Sequence, residues 1–242
     1  MRIRMPLRYA SWMLRDALRS VGVIELIVIG LMTFLLINLR SAADGKGPSG
    51  VTLLAQLVTG FDWVVVMVAT GGIVATDLTR GYFRTLFSEP VSPPLYYLQR
   101  WLVGAVAVGL SVPIAGIGVL VADGSFVFSG AVLVRLLLLY LLLGGLTFML
   151  STLLRRDWLF ALLIFIVQTL IQSLSASGLG VGPTVRAIVR ALPPFHLVEI
   201  GPGVPTYPGS AALFHVLVYG AVLVGIAVTV LAYRPLGTGG RE

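Results

Sequence analysis

Side chains able to carry covalent or metal chemistry are scarce in this 242-residue chain, which has no cysteine and only two histidines. The missing cysteines exclude disulfides, thiolate metal sites, thiol catalysis and iron–sulfur ligation. His196 and His215 stand nineteen positions apart, and no HExxH or ligand-spaced His/Asp/Glu cluster occurs. That argues against an intramembrane metalloprotease. His196 follows a Pro-Pro-Phe run and reads as a solvated or packed loop histidine. No GxSxG elbow or Ser–His–Asp set stands out. No GxxxxGK[ST] loop occurs either, so the chain cannot cradle ATP with that motif's backbone nest. An enzyme active site is not visible.

The remaining polar chemistry sits among apolar residues. Gln56, Thr59 and Asp62 lie on neighbouring positions of one side of a helix that starts near Leu53. Gln168 and Gln172 are four apart and share a helical face. Ionisable groups inside membrane spans are costly and usually face a bundle interior or a wet cavity. The same residues would also serve as interhelical glue, where a buried glutamine bond is worth about 0.6–2 kcal/mol. If its helix starts late, Asp62 lies at the outer interface instead.

The elements that must hold these residues follow from composition. Hydrophobic residues make up 57% of the chain and charged ones 11%, with a mean hydropathy of +0.99. Soluble domains average about 25% charged residues. A soluble fold needs polar surface in proportion to its area, so lipid must be the solvent here. The net charge of +7 is dispersed between apolar runs, which does not make the basic patch that nucleic-acid binding requires.

A hydrocarbon core about 30 Å thick needs about 20 apolar residues per helix. The fold expected is therefore an all-α integral membrane protein of six transmembrane helices. They cover about 21–39, 53–76, 102–122, 131–154, 159–176 and 211–233. Residues 1–20 are too charged to span, and Arg4, Arg8, Arg15 and Arg19 oppose a face of Ile3, Leu7, Met13 and Leu14. That pattern describes an N-terminal amphipathic helix lying in the interface. A signal peptide is the rival reading, but no small-residue cleavage site follows Leu39. With the N-terminus inside, twelve Lys and Arg residues fall on inner segments and five on outer ones. The positive-inside rule then puts both termini in the cytoplasm, in a plasma membrane such as a bacterial inner membrane.

Two connections are long enough to have a role of their own. The inner one, 77–100, carries Tyr82, Phe83, Leu86 and Phe87 as a compact aromatic face beside Arg80 and Arg84. Ser92 and Pro93 then resemble an N-cap and first-turn proline for the third span. An aromatic knob on a short helix suits docking in a partner's cleft. An interfacial aromatic belt would show the same residues.

The segment resembles the signature of the ABC (ATP-binding cassette) type-2 permease family: an acidic residue ending a span, a G-x-x-x-T-L stretch, then a P-V-S turn. Asp77, Gly81, Thr85, Leu86, Pro90, Val91 and Ser92 occupy those positions. The family usually has Glu where Asp77 stands and a basic residue where Pro93 stands. The order of parts is also similar over the whole chain, while the motif itself covers about 25 residues.

The resemblance implies the permease subunit of an exporter, with two copies of a cytosolic ABC ATPase subunit as partners and a second permease copy or sister permease beside it. ATP and magnesium would then bind in the partner subunit, and no cofactor would bind this chain. Residues Asp77, Gly81, Tyr82, Phe83, Thr85, Leu86, Phe87 and Pro90 would couple to the ATPase. Spans two and five would line the pathway, with Gln56, Thr59, Asp62, Gln168 and Gln172 on it. The second long connection, 177–210, would be a re-entrant or surface segment at the outer gate, although a plain extracellular loop also fits. A membrane scaffold that docks an assembly without moving anything, and a membrane enzyme, are the competing functions.

Overall fold

The computed structural model describes residues 7–42, 49–80, 92–154, 156–176, 182, 192–198 and 206–233, and every regular element among them is helical. The first helix, α1, runs Leu7–Ala42 without interruption. Its 36 residues extend about 54 Å at 1.5 Å per residue, well beyond one hydrocarbon thickness. The expected division at residue 20 between an interfacial helix and a first span is therefore absent. A change of side-chain chemistry along an axis does not interrupt the backbone ladder, and no proline occurs between Leu7 and Ala42.

The second span, expected as one helix over 53–76, is three: α2 (Gly50–Thr59), α3 (Asp62–Thr70) and α4 (Ala75–Arg80). The first break falls at Gly60 and Phe61, the second at Gly71–Val74. Gly72 has φ +69°, a left-handed conformation that side chains rarely adopt. A Cβ there would also overlap the Thr76 hydroxyl. A uniformly apolar run hides such breaks, because hydropathy reports burial and not backbone dihedral.

Next come α5 (Pro93–Gly109) and α6 (Ser111–Asp123). The helix starts at Pro93, as the Ser92–Pro93 pair predicts, and runs on into the span expected from Leu102; Ser92 is the N-cap although its hydroxyl makes no capping bond. The two segments bend at Leu110 because Pro113 has no N–H to give the Gly109 carbonyl. Gly124, at φ +74°, closes α6. Ser129 caps α7 (Gly130–Leu139) through Val132 N–H. A single π-helical turn, Tyr140–Gly144, then leads into α8 (Gly145–Leu153). After a tight turn come α9 (Asp157–Ala176), a short 3₁₀ turn at Phe195–Leu197, and α10 (Ser210–Tyr233).

Among the described residues, five helical stretches are long and apolar enough to cross a membrane: Tyr9–Leu35, Asp62–Thr79, Pro93–Asp123, Gly130–Leu153 and Ser210–Tyr233. Gly50–Thr59 and Asp157–Ile171 are shorter apolar stretches. The architecture is that of an all-α, multi-pass membrane protein.

Packing joins α1 to α5 and α6, α3 to α5, and α8 to both α9 and α10. The stripe Val21, Glu25, Ile29 and Thr33 is the buried side of α1. At the bundle centre the Trp101 ring lies 5.1 Å from that of Tyr140 and 6.4 Å from that of Phe148. Such aromatic pairs contribute about 0.5–1.5 kcal/mol each beyond area burial. The Tyr140 hydroxyl donates to the Trp101 carbonyl at 2.6 Å, in a space left open by Gly104.

Candidate functional site

Chain direction brings three helix ends together: the end of α4, the start of α5 and the start of α9. The α5–α6 pair crosses the bundle and α7–α8 returns, so Asp157 arrives beside Gly72. Here the Arg100 guanidinium donates to Asp77 Oδ2 at 3.0 Å and to the Ile73 carbonyl at 3.2 Å. The Asp77 side chain is 9% exposed and that of Arg100 32%. Tyr97, fully buried, lies beside the same carboxylate. The pair spans 23 positions and closes the two legs on either side of 81–91.

One turn away, the buried Asp157 carboxylate accepts the Gly72 N–H at 2.8 Å. It sits in the first turn of α9, where the helix dipole favours a negative charge. The acid therefore holds the glycine break of α3–α4 against the start of α9.

Of the residues expected to couple to an ATPase, Asp77 belongs to this clasp. Gly81, Tyr82, Phe83, Thr85, Leu86, Phe87 and Pro90 lie outside the described residues. The expected pathway residues lie in two groups, on α2–α3 and on α9. Gln56 and Thr59 are exposed on α2, where Thr59 also bonds the Ala55 carbonyl at 2.7 Å. Asp62 is half-buried at the start of α3 and accepts the Trp63 N–H at 2.6 Å. Gln168 is 1% exposed, and neither of its amide atoms has a partner among the described residues. The Gln172 side chain lies outside them. Aromatic stacking links the two groups, since Trp63 lies 6.3 Å from Phe165, one turn before Gln168. Phe195, from the 3₁₀ turn, meets Phe165 edge-on at 5.2 Å.

Arg100, Gly72 and Asp157 escape sequence reasoning as site residues. Arg100 reads as one more inner-face charge and Asp157 as part of an Arg-Arg-Asp turn. Glu25 escapes too: it reads as an interruption of the first span, yet it is fully buried and accepts the Ser111 hydroxyl at the α5–α6 bend. Its second oxygen has no partner among the described residues. A polar residue inside an apolar run is the available signal, but its partner is named only by helix packing.

His196 and His215 are both exposed. No three His, Cys, Asp or Glu side chains gather into a metal site among the described residues. No protein-family model and no curated protein matches this chain.

Proposed function

We propose that the chain is the membrane-spanning permease subunit of an ABC exporter, moving its substrate outward with ATP hydrolysed by a separate cytosolic subunit. The observation that supports this most directly is the half-buried Asp77–Arg100 clasp between the ends of α4 and α5 that flank segment 81–91. A segment that receives a mechanical stroke needs both legs fixed to the bundle, or the motion dissipates locally. Here one ion pair joins the legs, and Asp157 ties them on to α9. In this reading α9, 20 residues long and about 30 Å in extent, is the fifth span and brings the total to six. Both termini are cytoplasmic, the membrane is a bacterial inner membrane, and the basic start of α1 continues out of the hydrocarbon on its inner side. A second permease copy completes the pathway.

The test is reconstitution with a cytosolic ABC ATPase subunit encoded beside this chain. The expected result is co-purification, ATPase activity raised by the permease, and loss of both in Phe83→Asp. That change would bury an unpaired charge in an apolar contact, at a cost of several kcal/mol. Normal insertion of the chain with no ATPase bound by the wild type would favour a non-transporting scaffold instead.

A further inference from the structure

We propose that α1 carries a binding site for an anionic phospholipid, with the headgroup on Arg15 and Arg19 and an acyl chain along the helix above them. The site needs only a membrane-spanning α1, so it stands or falls separately from the exporter reading.

Trp12, Arg15 and Arg19 lie at i, i+3 and i+7, and Val23 and Leu26 continue the same side of the helix. All five are exposed, Trp12 at 61% and Leu26 at 64%. Because α1 is continuous, this side is one uninterrupted strip whose chemistry changes between Arg19 and Val23, from basic to apolar. Two helices joined at residue 20 would have turned the basic part away from the apolar part.

Position along the axis fits a lipid. The apolar stretch Val21–Leu39 is about 28 Å long at 1.5 Å per residue, close to a hydrocarbon thickness. Arg19 therefore sits at the hydrocarbon boundary and Arg15 about 6 Å beyond it, within the headgroup layer.

Charge is available as well. Neither arginine forms an ion pair among the described residues. The neighbouring carboxylate, Asp16, is also exposed and pairs with neither arginine among the described residues. Guanidinium groups match phosphate oxygens with a fork of donors, and a basic residue near an anionic leaflet gains about 1 kcal/mol, or about fivefold in affinity. A zwitterionic lipid offers the same phosphate with an ammonium beside it, which cancels that gain.

The absence of cysteine makes the experiment direct. Gly22 adjoins the strip, and a Cβ there meets nothing within 4 Å, so Gly22→Cys accepts a fluorescent donor. The full-length chain is reconstituted in phosphatidylcholine vesicles containing a trace of acyl-labelled acceptor, either phosphatidylglycerol or phosphatidylcholine. Energy transfer should favour phosphatidylglycerol. That preference should fall about fivefold in Arg15→Gln or Arg19→Gln, vanish in the double variant, survive in Arg19→Lys, and weaken in molar salt. Equal transfer to both lipids in the wild type overturns the proposal, as does a preference that the double variant retains. Disulfide cross-linking of unlabelled Gly22→Cys chains at high dilution in lipid also overturns it, because a second copy would then cover the strip.

Discussion

Replacing Arg100 with methionine keeps much of the side chain's bulk and removes its charge from Asp77. Breaking a fully buried ion pair from one side costs about 3–5 kcal/mol, while a surface pair is worth about 0–1. This pair lies between those limits, since the carboxylate is 9% exposed and the guanidinium 32%. Water can reach the vacated side and solvate the carboxylate in part. The Ile73 carbonyl also loses its donor, which adds about 0.5–1.5 kcal/mol. Together the loss should be about 2–3 kcal/mol. Asp77→Leu removes the buried charge and leaves an arginine that can turn to solvent, so it should cost less. The double variant should then recover about 1–2 kcal/mol relative to the sum of the two. Reversible unfolding in mixed micelles, titrated with a denaturing detergent, measures all four species. Arg100→Met within about 0.5 kcal/mol of wild type, with an additive double variant, would refute the clasp. In the exporter reading the single variants should also lower ATPase stimulation more than ATPase binding, because the legs and not the docking face are loosened.

Gly72→Ala should destabilise by at least about 1–2 kcal/mol from the left-handed backbone alone, and removing the Thr76 hydroxyl as well should recover only the overlap. Thermal unfolding of the two variants separates the terms, and an unaffected Gly72→Ala would disprove the strained turn. Ser111→Ala should cost about 1–3 kcal/mol, since it leaves the buried Glu25 carboxyl without a partner among the described residues; the same assay reads it, and a neutral result would mean that water or lipid already serves Glu25. Transport of the true substrate by Asp62→Asn and Gln168→Ala should fall with assembly intact, and unchanged transport would remove these residues from the pathway. Single cysteines at Ser49 and Gly203 should react with an impermeant thiol reagent from outside, and at Ser88 from inside; the opposite pattern would invert the topology.

The candidate site was legible in the sequence only in part. Asp77 stands out because it follows an apolar run and begins a polar segment, and a local feature of that kind needs no fold to be seen. Gln168 stands out for the same reason, but its burial does not. A glutamine on an amphipathic face can line a pathway or join helices, and only the packing shows that this side chain is enclosed by its own chain. Gln56 and Thr59, read as lining the same pathway, are exposed on α2.

What the sequence by itself determined is the solvent and the class. Scarce charge and apolar runs of spanning length are one-dimensional facts, and a backbone in lipid must satisfy its own hydrogen bonds, so helices follow. The start at Pro93 and the bend below Pro113 are local in the same sense, since proline fixes φ and withholds a donor wherever it stands. Only the tertiary structure decided the rest. Arg100 could have paired with several carboxylates, and Asp157 and Glu25 find Gly72 and Ser111 at separations of 85 and 86 residues. Those choices depend on which helices adjoin and at what height. Periodicity, which repeats every 3.6 residues along one chain, carries no record of either.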